Sequence, residues 1–250
     1  MRSSERLSGG SSNYRLVPFK IGGYFLKHYD RTIKQLAIYL IGLFTLTLGI
    51  SLSIYAGLGV SPVSSLAYAF TLATGISVGL TTIIANVLFI VIQIIITREW
   101  KWRSYTAQFV ITLFFGSFTD FTLWLVQAFL PMPETLPVRI LYLIASLFVV
   151  ALGLLGYLSA RLPMMPYDAL TYVISDHFHM AFSKAKVTSD LINVAIAGIV
   201  CLITVHQLGS IGIGTLIAAL FIGKILGVFI RKWQHPLVTW MMYSKFEKHE

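Results

Sequence analysis

Hydrophobic residues in this chain gather into six long runs, at about 36–57, 78–97, 106–130, 138–158, 187–205 and 211–230. Each comes close to the roughly 20 apolar residues that carry a helix across a bilayer core. Two shorter apolar stretches interrupt the series. GVSPVSSLAYAFTLATG spans 59–75, and PMMPYDALTYVISDHF spans 163–178. Their prolines predict short helices over 62–74 and 166–178, because Pro62 and Pro166 at the first helical position lack only an N–H that would be unpaired there. Ser61 is suited to cap the first of them, and Gly75 to end it in a left-handed turn. At 1.5 Å per residue each helix reaches about 20 Å, short of the ~30 Å hydrocarbon core. Two placements stay open at this stage: flat in the interface, or dipping inward and returning as a half-helix.

Composition turns the pattern into a class. Of the 250 residues, 56% are hydrophobic and only 12% charged, with a mean hydropathy of +0.78. A soluble domain carries about twice that share of charge, so the fold class is all-α, a polytopic integral membrane protein with the lipid bilayer as its surroundings. The net charge of +9 does not indicate nucleic acid, because the basic residues stand between apolar runs. There they set topology. The N-terminal tail, the loop with Arg98, Lys101 and Arg103, the loop with Arg161, Lys184 and Lys186, and the tail after Arg231 are basic. The intervening loops and helix ends hold Glu134 and, as basic or titratable cationic residues, only Arg139 and His206. Six crossings with both termini cytoplasmic follow. Lys27, Arg31 and Lys34 beside Tyr24, Phe25 and Tyr29 suggest a short helix on anionic lipid. The first residues are read as a basic cytoplasmic tail and not a cleaved signal. Trp100, Trp102, Trp233 and Trp240 sit where indole rings favour the headgroup level. Cys201, the single cysteine, reads as a small packing residue.

Placing Gly49 on Gly153 brings Pro62 onto Pro166, Leu66 onto Leu170, Tyr68 onto Tyr172 and Asn86 onto Asp190 without a gap. Three extra residues then bring Gly116 onto Gly223. Two halves that each cross three times point in opposite directions, which is the inverted repeat used by many secondary transporters. The expected organisation is a basic tail (1–34), a first three-helix repeat (35–130), a second, inverted one (131–231) and a cytoplasmic C-terminal tail (232–250).

A long helix ending AGLGVSP, a following GISVG and a late GIGTLIAALFIG resemble the YczE/YyaS/YitT family of bacterial membrane proteins, over about Gln35 to Arg231. In that family the first proline is followed by Trp-Asp and the second by Tyr-Asp. This chain keeps the second as Tyr167-Asp168 but has Val63-Ser64 at the first. The family's late Gly-Pro step is altered to Gly116-Ser117 and Gly223-Lys224. Asp120 matches an acid that members often carry. The resemblance implies the YczE-like branch, without the soluble C-terminal domain of YitT-type members, in a bacterial cytoplasmic membrane. Some members are linked to production of secreted antibiotics.

Ionisable residues within apolar spans are costly and usually functional. Asp120, Asp190 and Lys224 are therefore candidates for substrate binding or ion coupling. Asp168 joins them at the third position of the second short helix, where it is also suited to accept from free backbone N–H groups. Ser64 is its uncharged counterpart. Lys224 and Asp190 stand at depths that permit an ion pair. Asn86, Gln108, Thr112, Ser117 and Thr119 are placed to form a polar seam with Asp120. Pro62, Pro166, Gly116 and Gly223 are the expected caps and hinges, and Gly223 with Gly227 forms a GxxxG spacing that lets helices approach. No HExxH, GxSxG or CxxC signature appears, so neither an enzyme nor a metal or other cofactor is expected. The reading is a transporter or exporter of a small polar or anionic solute. Its alternative is a non-transporting accessory protein supporting a secretion or antibiotic-production complex. A homo-oligomer is left open.

Overall fold

The computed structural model describes residues 29–242. All regular structure among them is helical: α1 (Tyr29–Ala56), α2 (Pro62–Thr74), α3 (Val78–Thr97), α4 (Trp102–Phe129), α5 (Leu136–Ser159), α6 (Pro166–His177), α7 (Phe182–Thr204), α8 (Ile213–Phe229), a π turn (Ile230–Gln234) and α9 (His235–Met242). Six helical stretches are long and apolar enough to cross a membrane, the last running from Ile213 through the π turn to Met242. The protein is a multi-pass membrane protein. Tyr24, Phe25 and Lys27 of the expected surface helix lie outside the described residues. Arg31 and Lys34 belong to the first turns of α1, with the Lys34 Nζ 5.5 Å from the Trp240 ring centre.

The C-terminal end differs from expectation, since helix replaces tail over 232–242. Pro236 explains the irregularity just before it. With no N–H to give to the turn below, proline breaks the regular ladder, and the chain widens locally instead of stopping.

The two proline-headed segments are helices, as expected. Gly75 ends α2 with φ 74°, its N–H bonded to the Thr71 carbonyl at 2.8 Å. Ser61 and Met165 hold the capping positions, but neither side chain caps the backbone. Ser61 Oγ instead donates to Ser64 Oγ at 3.3 Å.

α1 and α5 form the spine, antiparallel and in close contact. A Cβ added at Gly49 would stand 2.6 Å from the Val150 backbone nitrogen, and one at Gly42 would stand 2.5 Å from that of Tyr157. Gly153 lies as close to the backbone of Leu46. Glycines let two backbones meet at a distance that any side chain would forbid. The remaining contacts match between the two halves. α1 meets α4 as α5 meets α8; α2 meets α7 as α6 meets α3; α2 meets α3 as α6 meets α7. The exception is α3 with α4, which are closely packed while α7 and α8 barely touch. Nothing lies within 4 Å of a Cβ built at Gly223 or Gly227. The expectation that these two glycines bring helices together therefore fails among the described residues, because α8 diverges from α7 where α4 stays on α3.

The loop before α2 turns back into the bundle, where its backbone cannot rely on water. The 208–214 segment supplies the partners. Val60 N donates to Ser210 O at 3.1 Å, Gly214 N donates to Leu58 O at 2.8 Å, and Ser53 Oγ donates to Gly59 O at 3.3 Å. Gly59 has φ 100°, and a Cβ there would stand 2.8 Å from Gly212 Cα. The position is closed to other residues on both counts.

Gly49→Ala and Gly59→Ala are expected to lower thermal stability in detergent by about 1–3 kcal/mol or more, the cost of overpacking against backbone that cannot move aside. Gly223→Ala, on an open helix face, should leave the melting temperature unchanged. A fluorescence-monitored thermal melt of the three variants decides this.

Candidate functional site

The half-helices α2 and α6 enter the bundle from opposite ends of α1 and α5, and their N-termini meet inside. Val63, Ser64 and Ala67 of α2 and Tyr167 of α6 line one cavity together with Ile50 of α1 and Asn86 of α3. Pro62, Leu66, Pro166 and Leu170 are buried around it. A starting turn buried this deeply fits the dipping placement, not one flat in the interface. The cavity is small, about 30 Å³, room for a water or two. Its walls are mostly apolar, with Ser64, Thr82, Asn86 and Thr119 as polar points. Asn86 is buried, and its Nδ2 donates to the Thr82 carbonyl at 3.0 Å.

Ser64 and Asn86 thus share one cavity. The charged candidates do not line it. Asp120 serves the start of α3: its Oδ2 accepts from Ser77 Oγ at 2.7 Å and its Oδ1 from Gly79 N at 2.6 Å. The first turn of a helix leaves N–H groups without partners, and a carboxylate there also meets the positive end of the dipole. Gly116, one turn back on α4, brings the two helices close enough, its own place against Gly79 O leaving no room for a Cβ. Asp120 is therefore an anchor between α3 and α4, and the expected polar seam does not form around it. Ser117 faces outward, the Thr112 hydroxyl is buried without a partner, and Gln108 bonds to Gln93.

Asp168 and Asp190 do meet, but through Lys186. Lys186 Nζ lies 3.4 Å from Asp168 Oδ1 and 3.6 Å from Asp190 Oδ1, all three side chains about a quarter exposed. Lys186 and Asp190 are one turn apart on α7, a spacing that favours pairing. Tyr167 OH donates to Asp190, and Lys186 Nζ sits 4.0 Å above the Tyr167 ring. Tyr157 OH donates to Asp168 Oδ2 at 3.3 Å and accepts from Met165 N at 2.8 Å. Asp168 stands at the third position of α6 as expected, yet its carboxylate bonds to side chains and not to the free N–H groups of its own helix. Two carboxylates share one ammonium, with the Tyr167 ring between them and the central cavity.

Lys224 stands apart from this cluster. It is exposed on α8, with its Nζ 5.3 Å from the Phe221 ring centre, so the expected pair with Asp190 is made by Lys186 instead. Both lysines were within reach in the sequence. Only the path of α8 away from α7 decides between them. Cys201 is fully buried, 3.4 Å from Ser210 Oγ, in keeping with a packing role.

A second, larger cavity of about 380 Å³ opens between α3, α4 and α6 at the end of the bundle that holds the 98–101 loop. Of its floor, the sequence pointed to Gln108, as part of a seam with Asp120, but not to Gln93. Gln93 and Gln108 are both buried, and Gln93 Nε2 donates to Gln108 Oε1 at 3.0 Å and to Pro166 O at 3.1 Å. An isolated glutamine inside the apolar run of α3 was the available signal. At the mouth, Lys101 Nζ lies 2.8 Å from Glu99 Oε2. That hydrogen bond, and then the charge of Lys101, hold the exposed Glu99 carboxyl below its usual range.

Comparison with known proteins agrees with the motifs. A model of the family of unknown function DUF6198 matches residues 33–231. The uncharacterized protein YyaS of Bacillus subtilis (strain 168) is 28% identical over 207 residues, 83% of this chain and 95% of that protein. An uncharacterized protein of Haemophilus influenzae is 23% identical over 197 residues, 79% of this chain and 84% of its own length. The resemblance carried by AGLGVSP, GISVG and GIGTLIAALFIG is borne out by YyaS. No solved structure matches the chain.

Substitutions at Asp120 and around Lys186 check the roles assigned to the charges. Asp120→Ala removes both acceptors at the start of α3 and is expected to cost about 1–2 kcal/mol, in the range of a lost helix cap. Asp120→Asn, which keeps an acceptor, should cost less. Lys186→Met leaves two carboxylates facing each other and should destabilise by roughly 1–2 kcal/mol, allowing for partial exposure. Adding Asp168→Asn to Lys186→Met should recover part of that loss in the same thermal melts.

Proposed function

The chain belongs to the family of unknown function DUF6198, and we propose that it moves a small polar or anionic solute across a membrane through the centre of the bundle. The observation that carries this reading is the small cavity where the N-termini of α2 and α6 meet, its mostly apolar walls interrupted by Ser64, Thr82, Asn86 and Thr119. Discontinuous helices that meet at mid-bundle are how many transporters present polar backbone to a solute without exposing it to lipid. The matched helix contacts of the two halves support an inverted repeat, with α2 and α6 as its paired half-helices. Transport would then exchange access between the two ends by rearranging one half against the other.

The charged cluster supports a coupling role better than direct solute contact. Asp168 and Asp190 line neither cavity. They reach the central one through Tyr167, whose ring forms part of its wall. The side of the bundle with Arg98, Lys101, Arg103, Lys184 and Lys186 is taken as cytoplasmic, in a bacterial cytoplasmic membrane. The start of α1 and the end of α9 would face that side. A second reading, a non-transporting membrane partner, draws on α8 alone. Its open Gly223 and Gly227 and its exposed Leu216 and Leu220 suit contact with another membrane helix, including one from a second copy.

Reconstituted into vesicles, the full chain is expected to move at least one solute from a panel of amines, amino acids, sugars and carboxylates faster than protein-free vesicles do. Asn86→Leu fills the central cavity and should slow that flux by about tenfold, the effect of ~1.4 kcal/mol on a barrier. Lys224→Met, on the outer face of α8, should leave it unchanged. Flux equal to that of empty vesicles across the whole panel would sink the transport reading.

A further inference from the structure

The larger cavity lies one helical turn from the central one. On α3, Phe89 lines the central cavity and Gln93 the larger one; on the α6 side, Tyr167 lines the first and Ala169 the second. The partition between them is the Gln93–Gln108 pair, braced by Pro166 O. Its hydrogen bonds are fully committed on the donor side. Gln93 Nε2 gives its two hydrogens to Gln108 Oε1 and Pro166 O. Gln108 Nε2 gives its two to Gln93 Oε1 at 3.3 Å and Ser104 Oγ at 3.4 Å. Each amide oxygen accepts one bond from its partner and keeps a second lone pair.

The walls repeat this imbalance. Thr97 Oγ1 donates to Gln93 O at 2.9 Å, and Tyr105 OH donates to Glu99 O at 3.3 Å, so both hydroxyl hydrogens are spent on the backbone. Lys101 is held by Glu99. Asp176 adds a second carboxylate to the lining, against the Lys101 ammonium and with the His177 imidazole beside it. With His177 neutral, the cavity therefore offers acceptors and a net negative charge, with Tyr105 and Tyr172 as aromatic wall. Such a lining attracts a group that brings its own N–H donors and positive charge. An anion would find few free donors at the floor. At about 380 Å³ the cavity admits a small organic molecule.

We propose that this vestibule binds a small organic amine in its protonated form, with the Gln93–Gln108 pair as the floor that parts to pass it to the central cavity. The inference rests on the transport reading and narrows its solute from polar or anionic to an amine. It also gives Gln93 and Asp176 roles that no sequence motif suggested. Gln93 closes the path, and Asp176 supplies charge at the wall.

The test uses the full chain in vesicles with Cys201→Ser as background and one introduced thiol, Ser104→Cys, in the vestibule wall. Ala169→Cys is a second reporter that leaves the Ser104–Gln108 contact intact. A cationic methanethiosulfonate is expected to modify either thiol roughly threefold to tenfold faster than the anionic reagent, relative to free thiol, the effect of one nearby net charge. Asp176→Asn should erase that preference. Ethanolamine should slow the modification, and acetate at equal ionic strength should not. A thiol at Ala85→Cys, on the central cavity, should stay unmodified until Gln108→Ala opens the floor. Equal rates for both reagents with no protection by ethanolamine would overturn the vestibule site. So would a reactive Ala85→Cys with the glutamine pair intact. Protection without flux of any solute would uphold the site while the transport reading fails. Flux without protection would remove the vestibule alone.

Discussion

The approach of α1 to α5 through Gly42, Gly49 and Gly153 is the contact on which the rest of the arrangement hangs. Lipid offers no hydrophobic drive for helices to associate, so a membrane bundle is held by close van der Waals contact and internal hydrogen bonds. The glycines supply the first by letting two backbones nearly touch. The second follows from where the two spans end. Ser53 near the end of α1 holds the loop that feeds α2, and Tyr157 near the end of α5 holds the loop that feeds α6. Tyr39 adds a bond to Pro163 O at 2.8 Å, tying the opposite end of α1 to that second loop. Once the spine is set, both half-helices are aimed at the same interior point.

Backbone that turns back inside the bundle must find partners there, because water is excluded. The 208–214 segment meets this need for the first loop and fixes the start of α8 as it does so. Gly59 is required because the two strands of chain come within backbone contact at a left-handed φ. The half-helix arrangement therefore depends on a pairing between residues some 150 positions apart, with α8 entering the bundle as a consequence of how α2 is held.

Charge is used sparingly and for distinct purposes. Asp120 neutralises the dipole of α3 and locks that helix to α4. Asp168, Lys186 and Asp190 form a shared cluster at the α6–α7 junction, wired by Tyr167 and Tyr157 to the loop and the cavity. Neutral amides, and not carboxylates, stand between the two cavities. A buried amide pair costs far less desolvation than a buried charge, and it can exchange its partners without leaving an ion unpaired. In the proposed path, that would suit Gln93 and Gln108 to a barrier that opens and closes.

Membrane residence, six spans and both proline-headed helices were legible in the sequence, because apolar run length and proline position act locally through hydrophobic transfer and missing N–H groups. Ser64 and Asn86, which share a cavity, were legible as interior polar positions for a related reason: a polar side chain at a regular position in an apolar run needs an explanation wherever the helix sits. The partners of the charges were not. Asp190 had two lysines within plausible reach, and Asp120 had a seam of hydroxyls beside it, so spacing alone left several pairings of similar merit. The divergence of α8 from α7 took Lys224 out of reach and left Lys186 in place. The tight contact of α3 on α4 turned Asp120 toward the Ser77–Gly79 turn. Sequence by itself determined what must be buried and which short segments must begin with proline. The tertiary structure alone decided which buried groups meet, because hydrogen bonds and ion pairs act over a few ångströms and the distances between helices are set by packing.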